Sequence, residues 1–226
     1  PVVSANTTLT VIEGGTTGIT TAQLNATDPD SPNTALVYTI TTQPLHGRVE
    51  LTTNPGVAIG TFTQADIVAG LVQFVHDGSE AATDTFRFSL SDGTTTFPNL
   101  TFNVGVTPVD DAPVAGPNLG ASVNEGGTVT LSTTRLSTTD ADTPAANIVY
   151  TVTSAVTNGR LELSTAPGVA ITTFTQADLA ANRVRYVHNG SETTSDAFTF
   201  TVSDGTSTLA AATFNLTVNP VNDPPV

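Results

Sequence analysis

Apolar and polar residues take turns along much of this chain. In its first half the alternation is clear over residues 36–41, 48–51, 85–91 and 100–106. A period of two is the pattern of a strand with one buried face. Asp92-Gly93 stands between Phe86-x-Phe88-x-Leu90 and Leu100-x-Phe102-x-Val104, a hairpin-type turn signal between two apolar stripes. The one helical hint is residues 63–69, where Thr63 can cap a single turn holding Gln64, Ala65 and Asp66. About seven short strands in roughly 100 residues is the size of an antiparallel sandwich. Its predicted core is Tyr38, Phe62, Phe74, Phe86, Phe88 and Phe102.

The same pattern then occurs again. A shift of 112 positions lays the sequence on itself without a gap. Glu13-Gly14-Gly15 falls on Glu125-Gly126-Gly127, Asp28-x-Asp30 on Asp140-x-Asp142, and Ser91-Asp92-Gly93 on Ser203-Asp204-Gly205. The second core set is Tyr150, Phe174, Tyr186, Phe198, Phe200 and Phe214. Matched aromatics in both copies point to packing rather than to a ligand platform. The expected division is a repeat at 1–112 and another at 113–226, read as a slice of a longer array.

Between the copies lies Pro108-Val109-Asp110-Asp111-Ala112-Pro113-Val114, and Pro220-Val221-Asn222-Asp223-Pro224 closes the chain in the same way. Proline fixes φ and removes a donor, so these joints are extended and stiff. Charge sharpens the picture. Twenty acidic residues against six basic ones, all Arg, leave a net charge of −14. Such a surface repels nucleic acid and anionic membranes and suits cations. There is no Cys, so disulfide and thiol chemistry are excluded, and no Lys, so a Lys–Asn crosslink is excluded too. No apolar run approaches a membrane span, so this segment is not expected to insert in a membrane.

Taken singly, each acidic element has a plain structural explanation: an Asx-type turn at Asp28–Pro32, hairpin nucleation by Asp92 and Asp204, solvated charge at Glu13 and Glu125. Taken together they supply the six to eight oxygens that Ca²⁺ requires. The EF-hand spacing fails at Pro32, so any such site draws on loops distant in sequence. His76 and His188 match between copies, but no second His or Cys stands at zinc spacing, and packing or capping of a strand end is the expected role. No nucleophile elbow or Ser–His–Asp arrangement is present, and an enzyme is not expected. Asn25-Ala-Thr27, Asn99-Leu-Thr101 and Asn189-Gly-Ser191 fit the glycosylation sequon, a match that chance also produces in so Thr- and Ser-rich a chain.

The run Ala26-Thr27-Asp28-Pro29-Asp30 followed by Val37-Tyr38-Thr39-Ile40 resembles the cadherin pattern Asp-x-Asp…Tyr-x-Ile. Phe86-Arg87-Phe88-Ser89-Leu90-Ser91-Asp92-Gly93 is similar to the cadherin strand ending in Asp-x-Gly, and the joint resembles the cadherin linker. Phe62-Thr63-Gln64-Ala65-Asp66-Ile67 with Gly70–Glu80 resembles the chondroitin-sulfate-proteoglycan repeat, a cadherin-like module also found in large bacterial surface adhesins. The resemblance spans both copies. It implies an all-β fold of two tandem β-sandwich, Greek-key modules joined by a short Ca²⁺-binding linker. It also implies a metal set at the joint made of Glu13, Glu80, Asp110, Asp111, Asp140, Asp142 and Asp204. Asp28, Asp30 and Asp92 are expected to form a half site at one end, and Glu125, Glu192, Asn222 and Asp223 at the other. The mid-module motif departs from the family, being Asp77-Gly78-Ser79-Glu80 in one copy and carrying Asn189 in the other, and the linker is one residue short.

The expected function is that of calcium-stiffened extender repeats in a secreted or cell-surface adhesion protein, with neighbouring repeats as partners. The rivals are recognition of cell-surface glycans or of like modules, or an accessory domain of an extracellular enzyme. With no Trp and with Tyr38, Tyr150 and Tyr186 all expected in the core, no exposed Trp or Tyr platform supports sugar stacking.

Overall fold

The structure is a computed structural model that describes residues 1–222; Asp223, expected in a terminal half site, lies outside them. The chain divides into two compact units, Pro1–Val109 and Asp110–Val226.

In the first unit the strands are β1 (Val2–Asn6), β2 (Leu9–Ile12), β3 (Thr16–Gly18), β4 (Leu24–Thr27), β5 (Val37–Thr42), β6 (Gly47–Leu51), β7 (Thr61–Thr63), β8 (Val72–His76), β9 (Thr83–Ser91) and β10 (Thr96–Thr107). One helical turn, α1 (Gln64–Val68), interrupts them. A five-stranded sheet runs β2-β10-β9-β5-β7, a three-stranded sheet runs β3-β8-β6, and β1 pairs with β4. Pairing is antiparallel except that β10 runs parallel to β2, with Val104 opposite Leu9. Alternation predicts that a residue lies in a strand, but not the direction of its partner, so this pair was not foreseen. The strands also number ten rather than seven, because breaks such as Thr7–Thr8 and Ile19–Gln23 cut longer strands into pairs.

The alternating stripes meet between the sheets. Tyr38, Phe74, Phe86, Phe88 and Phe102 are fully buried and Phe62 is nearly so. Tyr38 stacks on Phe62 with ring centroids 4.9 Å apart, a packed aromatic pair worth about 1 kcal/mol beyond its area. The predicted helical turn is present and starts at Thr63. The Thr63 hydroxyl accepts the Asp66 N–H (3.1 Å) while the Asp66 carboxylate accepts the Thr63 N–H (2.8 Å), a capping box. Gln64, first in that turn, is buried and receives the Ala26 N–H and the Tyr38 hydroxyl. This fixes β4, and with it the loop that opens at Asp28, to the core.

The second unit repeats the design with β11 (Val114–Asn118), β12 (Ala121–Asn124), β13 (Thr128–Thr130), β14 (Leu136–Thr139), β15 (Val149–Ser154), β16 (Gly159–Leu163), β17 (Thr173–Thr175), α2 (Gln176–Ala180), β18 (Val184–His188), β19 (Ser195–Ser203) and β20 (Ala212–Asn219). Its sheets are β12-β20-β19-β15-β17 and β13-β18-β16, again with one parallel pair, β12 with β20. Tyr150, Tyr186, Phe198 and Phe214 fill its core. Both units are all-β sandwiches around an aromatic core.

Candidate metal centre

The acidic loops of the second unit converge at the end where that unit begins. Asp140 follows β14, Asp204 follows β19, and Asp110 and Asp111 precede β11. Each loop is shaped by its own carboxylate. Oδ1 of Asp140 accepts the N–H groups of Asp142 (3.2 Å) and Thr143 (2.8 Å). Oδ1 of Asp204 accepts those of Thr206 and Ser207, both at 2.6 Å. Asp is chosen here because only a short acceptor side chain can fold back onto the next amides. One oxygen of each carboxylate is thus consumed by the turn. The other, Oδ2, is buried in both residues and has no hydrogen-bond partner. Asp142 is drawn in as well, since the Asp111 N–H donates to its Oδ2 at 3.0 Å. That bond, with help from Asp140, holds the Asp142 carboxyl below the usual range. Asp110 moves the other way: lost hydration, then the charges of Asp204 and Asp142, push its carboxyl up.

The first unit shows the same loops. Oδ1 of Asp28 accepts the N–H groups of Asp30 and Ser31, each at 3.0 Å, and Oδ1 of Asp92 those of Thr94 and Thr95. The Asp28 carboxyl lies far below the usual range through its bond with Asp30, and Asp30 is pushed up by Asp28.

At the opposite end of the first unit, Glu13 and Glu80 present carboxylate oxygens within 4.8 Å of each other. Glu13 Oε2 accepts the Val109 N–H at 3.0 Å, and its Oε1 is buried without a partner. A histidine expected only to pack or to cap a strand end holds this end together. His76, buried at the end of β8, accepts the N–H groups of Gly14 and Gly78, both 3.2 Å from Nδ1. It clamps the Glu13-Gly14 edge to the Gly78-Ser79-Glu80 loop. Gly14 and Gly78 have φ of +63° and +82°, and a Cβ on Gly14 would lie 3.9 Å from the Gly78 Cα. His188 repeats the clamp on Gly126 and Gly190, and Val221 N–H repeats the bond to Glu125 Oε2 at 3.2 Å. The usable signal in the sequence was a His matched in both copies with Gly two residues on and a Glu-Gly-Gly elsewhere. Strand-end capping, the expected role, describes it in part. Glu192 is exposed in the second unit.

Six buried side-chain polar atoms lack a partner among the described residues, and four are carboxylate oxygens, of Glu13, Glu125, Asp140 and Asp204. A buried anionic oxygen without a partner is costly, on the order of 1–3 kcal/mol or more. No arginine ion pair among the described residues reaches Asp140, Asp142 or Asp204. All-oxygen donor sets of carboxylate and backbone type fit a hard cation, Ca²⁺ above Zn²⁺. Ser79 Oγ does stand 3.0 Å from His46 Nδ1, but an acid that would orient that ring for nucleophilic chemistry is not among its hydrogen-bond partners.

The cadherin-like family profile matches residues 1–106 and 113–218. The chain is 40% identical over 239 residues to the human extracellular matrix organizing protein FRAS1, covering 99% of this chain and 6% of that protein. It is 36% identical to extracellular matrix protein 3 of Lytechinus variegatus, covering 89% of this chain and 6% of that protein. It is 36% identical to human chondroitin sulfate proteoglycan 4, covering 83% of this chain and 8% of that protein. The chain therefore spans less than a tenth of the length of these relatives. Among solved structures, human mucin-like protocadherin EC1-2 superposes with a TM-score of 0.52 at 18% identity, over 97% of this chain and 98% of that one. Protocadherin gamma B2 domains 1–5 give 0.53 at 16% identity, over 98% of this chain and 40% of that one.

Proposed function

This chain belongs to the cadherin-like family, and from that premise we propose that it is a pair of calcium-stiffened extender repeats in an extracellular matrix or cell-surface adhesion protein. One observation carries the reading. Asp140 and Asp204 each spend one oxygen on a turn and leave the other buried and unpaired among the described residues. The loops are preorganised for positive charge.

Asp140, Asp142 and Asp204, with Asp110 and Asp111 from the joint, would hold Ca²⁺ at one pole of a repeat; Glu13 and Glu80 would hold it at the other. When bound, the ion would neutralise the acidic pole and give the unpaired carboxylate oxygens the positive partner that the backbone turns do not. The repeat boundary at 112/113 is part of this proposal, in which the joint's two aspartates would serve as ligands beside Asp140, Asp142 and Asp204. The bacterial adhesin setting expected from the resemblance finds no support in the relatives named above, which are animal extracellular matrix proteins and a proteoglycan.

Among the described residues no helix is long and apolar enough to cross a membrane. The homologues bear structural rather than catalytic names, in keeping with an extender and not an enzyme. Calorimetric titration with Ca²⁺ tests the proposal: we expect saturable binding that Asp140→Asn and Asp204→Asn each weaken. Heat no greater than that of dilution would contradict it.

A further inference from the structure

We propose that Asn99 is the acceptor of an N-linked glycan and that the exposed ring of Phe97 is a platform for its first sugar. The inference rests on the extracellular reading above, but not on calcium. Three sequons are present, and the structure separates them. The Asn25 carboxamide is engaged on both atoms, donating to Ser4 Oγ at 2.8 Å and accepting from Gln64 at 2.9 Å, so a sugar there would break the network that fixes β4. The Asn189 carboxamide folds back onto the Ser191 N–H at 3.0 Å, and the Ser191 hydroxyl is buried. Asn99 is different. It is exposed, and its side chain has no hydrogen-bond partner among the described residues.

The backbone explains why it projects. Between Phe97, opposite Leu90, and Leu100, opposite Phe88, β10 holds one more residue than β9, a bulge. Asn99 takes φ of +60° within it. Asn is among the few side chains that accept this region, and Pro98 is tolerated where a bulge needs no ladder donor.

Phe97 supplies the second observation. It is 42% exposed, a large ring on the surface of a chain whose other aromatics form its cores. In the other repeat the equivalent position is Leu209, which packs partly buried against the core, and Ala211 replaces the asparagine. The exposed ring and the acceptor occur together in one repeat and are absent together from the other. Two residues of extended chain span at most about 7 Å, so the ring is within reach of a sugar borne by Asn99. The apolar face of a hexosamine would cover it.

The transfer is balanced and needs no redox partner. Nδ2 of Asn99 attacks the anomeric carbon of an N-acetylhexosamine carried on a polyprenyl diphosphate. The new C–N bond forms as the C–O bond to diphosphate breaks; the diphosphate leaves with that electron pair and the amide loses one proton. Thr101 supplies the sequon hydroxyl.

The test is to secrete the full chain from cultured mammalian cells and map glycopeptides in both the medium and the cell pool. We expect occupancy at Asn99, seen as a mobility shift removed by an amidase that cleaves N-glycans. Asn99→Asp, which keeps tolerance of positive φ, and Thr101→Val should each abolish that shift while circular dichroism remains unchanged. Phe97→Ser should lower occupancy. Chain that carries no glycan at Asn99 in either pool, or carries it at Asn25 or Asn189 instead, overturns the assignment. Unchanged occupancy in Phe97→Ser overturns the platform. Calcium titration of the deglycosylated chain reads the earlier proposal separately.

Discussion

At the scale of single residues, the carboxylates after β14 and β19 do two jobs that pull apart. One oxygen builds a turn and the other carries unpaired charge. Asp204→Asn keeps the turn acceptor and removes the charge. We therefore expect this variant to be as stable as the parent or slightly more so in chelator, and to lose most of the stabilisation that calcium gives. At calcium about 100-fold above its dissociation constant that stabilisation is about 2.7 kcal/mol. Thermal melts with and without calcium check both halves; equal loss of stability under both conditions would mean a purely structural role. The two histidine clamps offer a second comparison. His188 Nε2 lies 3.0 Å from Thr193 Oγ1, whereas His76 Nε2 is buried without a partner and Ala81 stands at the matching position. Ala81→Thr should supply the missing partner and stabilise the first repeat by about 1 kcal/mol, read from denaturant midpoints. No gain would show that the threonine cannot reach the ring.

At the scale of elements, β16 and β18 are tied by a buried carboxylate. Glu162 is almost wholly buried and takes Arg160 at 2.6 Å, Arg185 at 2.6 Å and the Gly168 N–H at 2.8 Å. Glu50 in the first repeat has Arg48 and Gly56 but only Gln73 in place of the second arginine. Breaking one side of a buried pair costs on the order of 3–5 kcal/mol, less where the arginines keep some water. Glu162→Gln should therefore destabilise by about 2–3 kcal/mol, and Glu50→Gln by less. Burial alone would raise the Glu162 carboxyl, but the Gly168 amide and the two guanidinium groups outweigh it and bring it down to about 2. A depressed folded value means stability that is complete above the ordinary glutamate range and lost as pH falls toward about 2. Asp110, raised in the folded chain, has the opposite sign and favours folding as it protonates. Acid titration followed by circular dichroism should show the second repeat losing stability below about pH 4.5, with the loss blunted in Glu162→Gln.

The elements also mark how far the sequence could be read. Period-two alternation found β5, β6 and β9 closely, and Thr63 as a cap found α1, because these signals are local. β10 begins at Thr96, well before the expected residue 100, because Pro98 and Asn99 read as loop while a bulge in fact carries them within the strand. The parallel β2–β10 pair and the His76 clamp depend on segments some 60 to 95 residues apart, where no short pattern reaches. Of the candidate ligands, Asp140, Asp142 and Asp204 were legible as an Asp-x-Asp and an Asp-Gly because the turn that each makes is itself a local signal. That Oδ2 of Asp140 and of Asp204 is left buried and unpaired is a property of the folded pole, invisible in the string.

At the scale of the whole molecule, two repeats of −14 combined charge are joined by a proline-bounded acidic segment. Repulsion among the carboxylates opposes their convergence at the joint, and a divalent cation would relieve it. Calcium is thus proposed to act mechanically, turning a string of repeats into a rod. Small-angle X-ray scattering on the two-repeat chain, first in millimolar calcium and then in chelator, tests this most directly. The proposal requires a longer and more sharply bounded maximum dimension in calcium, abolished by Asp140→Asn with Asp204→Asn. Superimposable curves in the two buffers, from a chain shown to be folded in both, would contradict it.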